Sequence, residues 1–375
     1  MKKFIFALST LSGTIIGVGL FSLPYITLKV GILVMLFYFL VLGGVVILIH
    51  ILFGEVALHT PDYHRLPSYA KIYLGKWGEK ITFFTAILSL WGALLAYLIV
   101  GGKFLASLFL PLLGGNESLY TILYFAAGAL LIYFGIRAIA KFEFFALILF
   151  FLVLFMVFLK GFSFLKLDNF SLSTPKQISL IFLPFGPILF SLWGADLIPE
   201  IEEMLGRDKN LLKKLIPLAL FIPIITYLVF IGLVLGISGN LTSEEAIGGL
   251  GIFLGPDVIG LLLFFGILTT FTSFLTLGLT LRNVFCYDLK IPKDIAWFAA
   301  CFIPLSLFFL GFQNFIGVIS FVGGILLAFN GILIIFMYRI VKKIPLFSLN
   351  SFFTSFLIFI LLLGIVYEVY YFLLR

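Results

Sequence analysis

The chain alternates long runs of apolar residues with short charged turns, and the pattern repeats almost to its last residue. A helix that crosses a bilayer needs about 20 mainly apolar residues, because each adds a rise of about 1.5 Å through a hydrocarbon layer about 30 Å thick. Runs of that length predict eleven membrane helices, over residues 4–28, 31–58, 81–110, 119–136, 142–161, 179–205, 215–236, 258–282, 294–310, 315–338 and 349–373. Residues 67–74 and 243–254 read as short interfacial or loop helices, too short to span.

Two of the eleven carry the same irregularity. The first contains Gly17-Val18-Gly19 and then Pro24, the sixth Gly194 and then Pro199, with five residues from glycine to proline in each. A helix interior disfavours glycine by about 1 kcal/mol and proline by about 3 relative to alanine, so the matched clusters predict two helices interrupted near mid-span. Pro184 and Pro187 loosen the start of the sixth further. Five spans separate the two breaks, so the broken helices enter the membrane from opposite sides, as inverted repeats do. The expected fold is therefore an all-α integral membrane domain over 1–375, with one repeat at about 4–161, a second at about 179–338 and an additional helix at about 349–373. The competing reading is that the glycines only allow close helix packing and the prolines only kink. It accounts for either helix alone better than for the pair.

Composition agrees with the pattern: 63% of the residues are apolar and 11% charged, against roughly a quarter charged in soluble domains. Mean hydropathy is +1.26. The net charge of +7 could point to nucleic acid, but 18 of the 24 basic residues fall in segments on one side of the eleven-helix topology. That asymmetry reports orientation, placing the N-terminus in the cytoplasm and, with an odd number of spans, the C-terminus outside. Lys2 and Lys3 precede an apolar run that is too long for a secretory signal and lacks a small-residue cleavage site. Cys286 and Cys301 offer neither a disulfide framework nor paired metal ligands.

Interrupted helices have a specific chemistry. Free N–H groups at the start of the second half and free C=O groups at the end of the first carry about half a unit of dipole charge each. A carboxylate should sit on the amides near Gly17, Val18 and Gly19, and an ammonium on carbonyls near residues 13–16 and 190–193. An α-amino acid carries both charges at that separation. In the eighth helix Thr269, Thr272, Ser273, Thr276 and Thr280 fall on one face, a set of hydroxyls suited to a small hard cation such as sodium. The plain alternative is that each bonds its own i−4 carbonyl. Asp196 lies in the sixth-helix break, where it either stabilises the break or binds a proton or an amine. Lys103, two turns from the outer end of the third helix, reads as snorkelling or as a fixed cation, and Tyr97 as a pocket wall. His50, Glu55, His59 and His64 cluster toward the inner end of the second helix, without the further ligands a metal would need.

GTIIGVGLFSLPY at 13–25 resembles the first-helix signature of the amino acid/auxin permease family, within the amino acid–polyamine–organocation superfamily. LFSLWGADLIPEIEE at 189–203 and ILTTFTSFLTLGL at 267–279 are similar to the sixth and eighth helices of its tyrosine and tryptophan permease branch. The resemblance implies a leucine-transporter-type 5+5 inverted repeat with substrate held between helices one, three, six and eight. On that basis the substrate residues are Thr14, Gly17, Val18, Gly19, Tyr97, Trp193, Gly194, Ala195 and Asp196. Gly13, Ile16, Thr269, Thr272 and Ser273 form the expected ion set. The fifth helix has no mid-span lysine of the kind that replaces sodium in some proton-coupled relatives, since Lys160 lies at its outer end. The coupling ion stays open between Na+ and H+.

The expected function is ion-coupled symport of a neutral amino acid, aromatic ones included, across the plasma membrane, with no organic cofactor and no nucleic-acid partner. Whether the chain is a monomer or a homo-oligomer stays open. A nutrient sensor on the same fold is the nearest rival. A membrane-embedded enzyme is weaker, because the three histidines all lie within residues 50–64, away from any converging acid or base.

Overall fold

The computed structural model describes residues 2–135, 139–170, 180–206, 208–341 and 350–373. Arg137, Lys176, Arg207, Lys342, Lys343 and Arg375, part of the charge asymmetry, lie outside the described residues. Among those residues eight helices are each long and apolar enough to cross a bilayer, and a ninth crossing is the first span, a helix pair bent by 43°. The sixth and ninth spans complete the eleven. The sixth is divided into Phe185–Leu192 and Ile198–Leu205, and the ninth, Lys293–Phe309, has 17 residues, the short limit for a crossing.

Local chemistry sets the ends. Asn116 caps the fourth span, Glu117–Phe134, by accepting the Leu119 amide, and Gly135 (φ 72°) closes it in the left-handed conformation. Asp208 accepts from the amides of Asn210 and Leu211 at the start of the seventh span, Lys209–Ser238. Gly75 (φ 76°, ψ −169°) interrupts the helix over Leu66–Leu113, leaving a short helix before the third span as expected. The loop before the eighth span holds only one helical turn, Ile247–Leu250.

Two ion pairs check the alternation of the spans. Arg65, between the second and third spans, pairs with Glu200 in the second half of the sixth, and Lys103, late in the third, pairs with Glu245 before the eighth at 3.0 Å. Each pair joins groups that an alternating topology puts on one face. Lys103 is thus tied to a loop carboxylate and takes no part in either cavity described below.

Burying apolar groups drives little helix association where lipid is equally apolar, so the spans are joined by close packing and interhelical hydrogen bonds. Ser12 donates to the Ala219 carbonyl (3.1 Å), Thr85 to Asn330 (2.5 Å), Trp91 to the Ala299 carbonyl (3.0 Å) and Trp297 to the Ala129 carbonyl (2.8 Å). The third span packs on the fourth and eighth, the first on the seventh, and the tenth on the first half of the sixth. This last contact uses a π-helical stretch, Val322–Leu327, inside the tenth span.

Candidate substrate and ion sites

The first span stops being helical after Ile15. Gly17 (φ −110°, ψ −154°) leads into a 3-10 turn, Val18–Ser22, and its amide bonds the Ile15 carbonyl at 2.7 Å. The Gly13 carbonyl, four residues back, is thereby released from the helical ladder, and the amides of Val18 and Gly19 open the turn without an intrahelical acceptor. Glycine is required by approach: a Cβ at Gly17 would strike the Tyr97 hydroxyl, and one at Gly19 the Cα and side chain of Ser191. Pro24 sits in the first turn of the resumed helix Leu23–Val30, where its missing N–H costs nothing. Pro199 starts Ile198–Leu205 in the same way. The prolines therefore begin the second halves, and the interruptions themselves lie at the glycines.

In the sixth span, Trp193 (φ −79°, ψ 123°) and Gly194 (φ −142°, ψ 13°) separate the two helical halves. The indole N–H of Trp193 donates to the Asp196 carboxylate at 3.2 Å. The Gly194 amide donates to His50 Nε2 at 2.9 Å. From the seventh span, the Tyr227 hydroxyl faces two carbonyl acceptors, Ile15 of the first break at 2.5 Å and Ser191 of the sixth at 2.8 Å.

Between the breaks and the third, eighth and tenth spans lies a cavity of ≈ 70 Å³. Thr14, Gly17, Gly19, Tyr97, Trp193 and Asp196 of the expected substrate set line it, joined by Ser89 and Ala93 of the third span and Ser191 of the sixth. Val18, Gly194 and Ala195 are buried in the walls without lining it. A cavity of about 150 Å³ accommodates benzene, with six heavy atoms, so one of less than half that volume is too small for alanine, also six, and takes an amino acid only after the walls move. Trp193 and Tyr97, 8% and 5% exposed, are the bulkiest of those walls.

A second, smaller cavity of ≈ 20 Å³ lies on the other side of the first break. Gly13, Ile16, Thr269, Thr272 and Ser273, all five residues of the expected ion set, line it with Leu147 and Phe150 of the fifth span. Its size suits one water-sized occupant. The hydroxyl stripe divides here. Thr276 and Thr280 donate to the carbonyls of Thr272 and Thr276, four residues back, and do not line the cavity, as the packing alternative expects. Thr269 and Thr272 also donate to local carbonyls, yet their oxygens keep lone pairs that can face a cation.

Sequence reasoning missed Tyr227 and placed His50 with Glu55, His59 and His64. His59 does approach Glu55, at 3.5 Å, and His64 bonds the Pro61 carbonyl, but His50 turns away to the sixth break. The available signal was a lone histidine well inside an apolar span. For Tyr227 there was none, since one tyrosine in an apolar helix usually only packs.

A family profile described as Tryptophan/tyrosine permease family matches residues 1–371. The chain belongs to the tryptophan/tyrosine permease family. This permease is thus a multi-pass membrane amino-acid transporter and not an enzyme. Its fold matches that of Mhp1, a nucleobase-cation-symport-1 family transporter solved in a closed conformation with bromovinylhydantoin bound. The TM-score is 0.64 at 16% identity, over 97% of this chain and 90% of that one. At that identity the likeness is one of fold, and the fold is the inverted-repeat transporter fold expected from the two breaks. No curated protein matches the chain.

Proposed function

We propose that this permease moves a neutral amino acid, aromatic side chains included, across the plasma membrane by cation-coupled symport, with its N-terminus in the cytoplasm. The observation that carries the reading is that one interrupted helix lines two adjoining cavities. Gly17 and Gly19 face the larger one, Gly13 and Ile16 the smaller. Amides at the start of the Val18–Ser22 turn suit a carboxylate, and Asp196, the one carboxylate lining the larger cavity among the described residues, suits an ammonium. No second charge waits there for a charged side chain, which favours neutral substrates. A cation among Thr269, Thr272 and Ser273 would brace the break that holds the substrate, so either occupant raises the affinity for the other.

The test is uptake by purified protein in liposomes, using labelled tryptophan, tyrosine, leucine and alanine under an imposed sodium or proton gradient. Accumulation of at least one under one of the gradients is the expected outcome, and the effective gradient names the ion. Uptake of none by correctly inserted protein overturns the proposal. Hydrogen bonds to charged groups contribute about 1.5–3 kcal/mol, so Thr272→Val with Ser273→Ala should weaken apparent affinity for the driving ion roughly tenfold to a hundredfold. Exchange of substrate without a gradient should persist, and an unchanged ion dependence would remove the cation from this cavity.

A further inference from the structure

His50 is completely buried on the second span, Ile32–His59, and contributes nothing to the lining of either cavity. A histidine inside a membrane helix is costly unless both ring nitrogens are used. Both are. Nδ1 lies 2.8 Å from the Val46 carbonyl one turn back, and Nε2 lies 2.9 Å from the amide nitrogen of Gly194, 144 residues away. A backbone amide can only donate, so Nε2 must accept and the ring proton must sit on Nδ1, where the Val46 carbonyl receives it. The helix-end bond therefore selects the one neutral tautomer whose free lone pair points at the sixth-span break.

Gly194 is where that lone pair matters. Interrupting the helix strips its amide of a helical acceptor at a depth where water cannot replace it. Residues close to it in the chain belong to the cavity: Trp193, one position before, and Asp196, two after, both line it and are bonded to each other. The His50 ring also meets the Trp193 indole edge to face, centroids 5.7 Å apart. From the opposite side Leu11 and Ile15 press on Gly194 so closely that a Cβ there would come within 3.0 Å of both. The break is gripped between the first and second spans at a single residue.

We propose that His50 is a positioning residue of the substrate site. By accepting the Gly194 amide hydrogen it holds Trp193 and Asp196 at the angle from which they meet the amino acid. The inference rests on the proposed reading of the cavity as the substrate site. His50 never touches substrate, so its contribution appears in how well the site is assembled rather than in the identity of the groups that line it.

Two amide side chains of different reach test this without changing polarity. Glutamine places its carbonyl oxygen near the position of Nε2, and asparagine, shorter by one carbon, places its own near Nδ1 and cannot reach Gly194. In liposomes containing the full-length chain, concentration dependence of uptake is measured with whichever of tryptophan, tyrosine, leucine and alanine the unaltered protein moves best. His50→Gln should hold the half-saturating concentration within about threefold of the parent, while His50→Asn and His50→Leu should raise it on the order of tenfold or more, as expected for one orphaned buried amide. Equal impairment of Gln and Asn variants would make His50 a packing residue and overturn the role, as would a Leu variant indistinguishable from the parent. If the Leu variant fails to insert, the Gln and Asn pair still decides. Transport by the parent with no difference among variants sinks only the role of His50. No uptake by the parent sinks the transport reading and this role together.

Discussion

Gly17→Leu should abolish amino-acid uptake while leaving a protein that inserts and folds. The site of a Cβ at Gly17 is already taken by the Tyr97 hydroxyl, with the Tyr97 ring carbon behind it at 3.2 Å and the Thr14 carbonyl at 3.4 Å. Because the first obstacle is the tip of a side chain, Tyr97 can swing aside and the fold survives. The cavity it lines is the open space beside it, and ≈ 70 Å³ leaves no room for both a displaced phenol and a substrate. Gly17→Ala gives the graded version. Overpacking costs about 1–3 kcal/mol, which on substrate affinity amounts to roughly 5-fold to 150-fold. Uptake kinetics together with the heat-unfolding midpoint in detergent check the claim: normal transport by the leucine variant would detach this glycine from the substrate path.

Gly323→Ala should do the opposite, damaging the fold first. A Cβ at Gly323 would overlap the Gly186 carbonyl and stand 2.8 Å from the Phe190 amide nitrogen, so backbone meets backbone and nothing can rotate away. Its neighbour Gly324 leaves the space into which the buried Glu368 of the eleventh span extends, and the Glu368 carboxyl accepts the Gly186 amide hydrogen. The π-helical stretch Val322–Leu327 is thus a place where the tenth, eleventh and sixth spans meet closely. Forcing them apart should cost about 3 kcal/mol or more and lower both yield and unfolding midpoint. Gly260→Ala is the control. It lies within the eighth span with open space where its Cβ would go, and alanine should there be neutral or stabilising by up to about 1 kcal/mol. Equal stability of the two variants would show that the close approach at Gly323 is not what joins these spans.

What the sequence made legible follows from the range of the forces involved. Span positions are set by apolar run length, a local property, and the helices at Ile32–His59, Glu117–Phe134 and Ser351–Leu373 begin and end within two residues of expectation. The interruptions were legible for the same reason, because glycine and proline act on their own segment. The paired cavities were half legible: the spacing of Thr269, Thr272 and Ser273 put them on one face, but could not tell them from Thr276 and Thr280, which only the approach of Gly13 and Ile16 separates. His50 with Gly194, Tyr227 with Ile15 and Ser191, and Glu368 with Gly186 join residues 144, 212, 36 and 182 positions apart. No periodicity encodes such pairs, since each exists only once the spans have packed.

The Tyr227 hydroxyl has one hydrogen and two carbonyls within reach, Ile15 on the first span and Ser191 on the sixth. If those spans drift apart, the phenol can keep one partner as it lets the other go, and the sum of its bonding scarcely changes. The carbonyl it releases is then stranded without a donor at a depth where water cannot replace it, so this phenol works as a clasp that resists parting of the two interruptions.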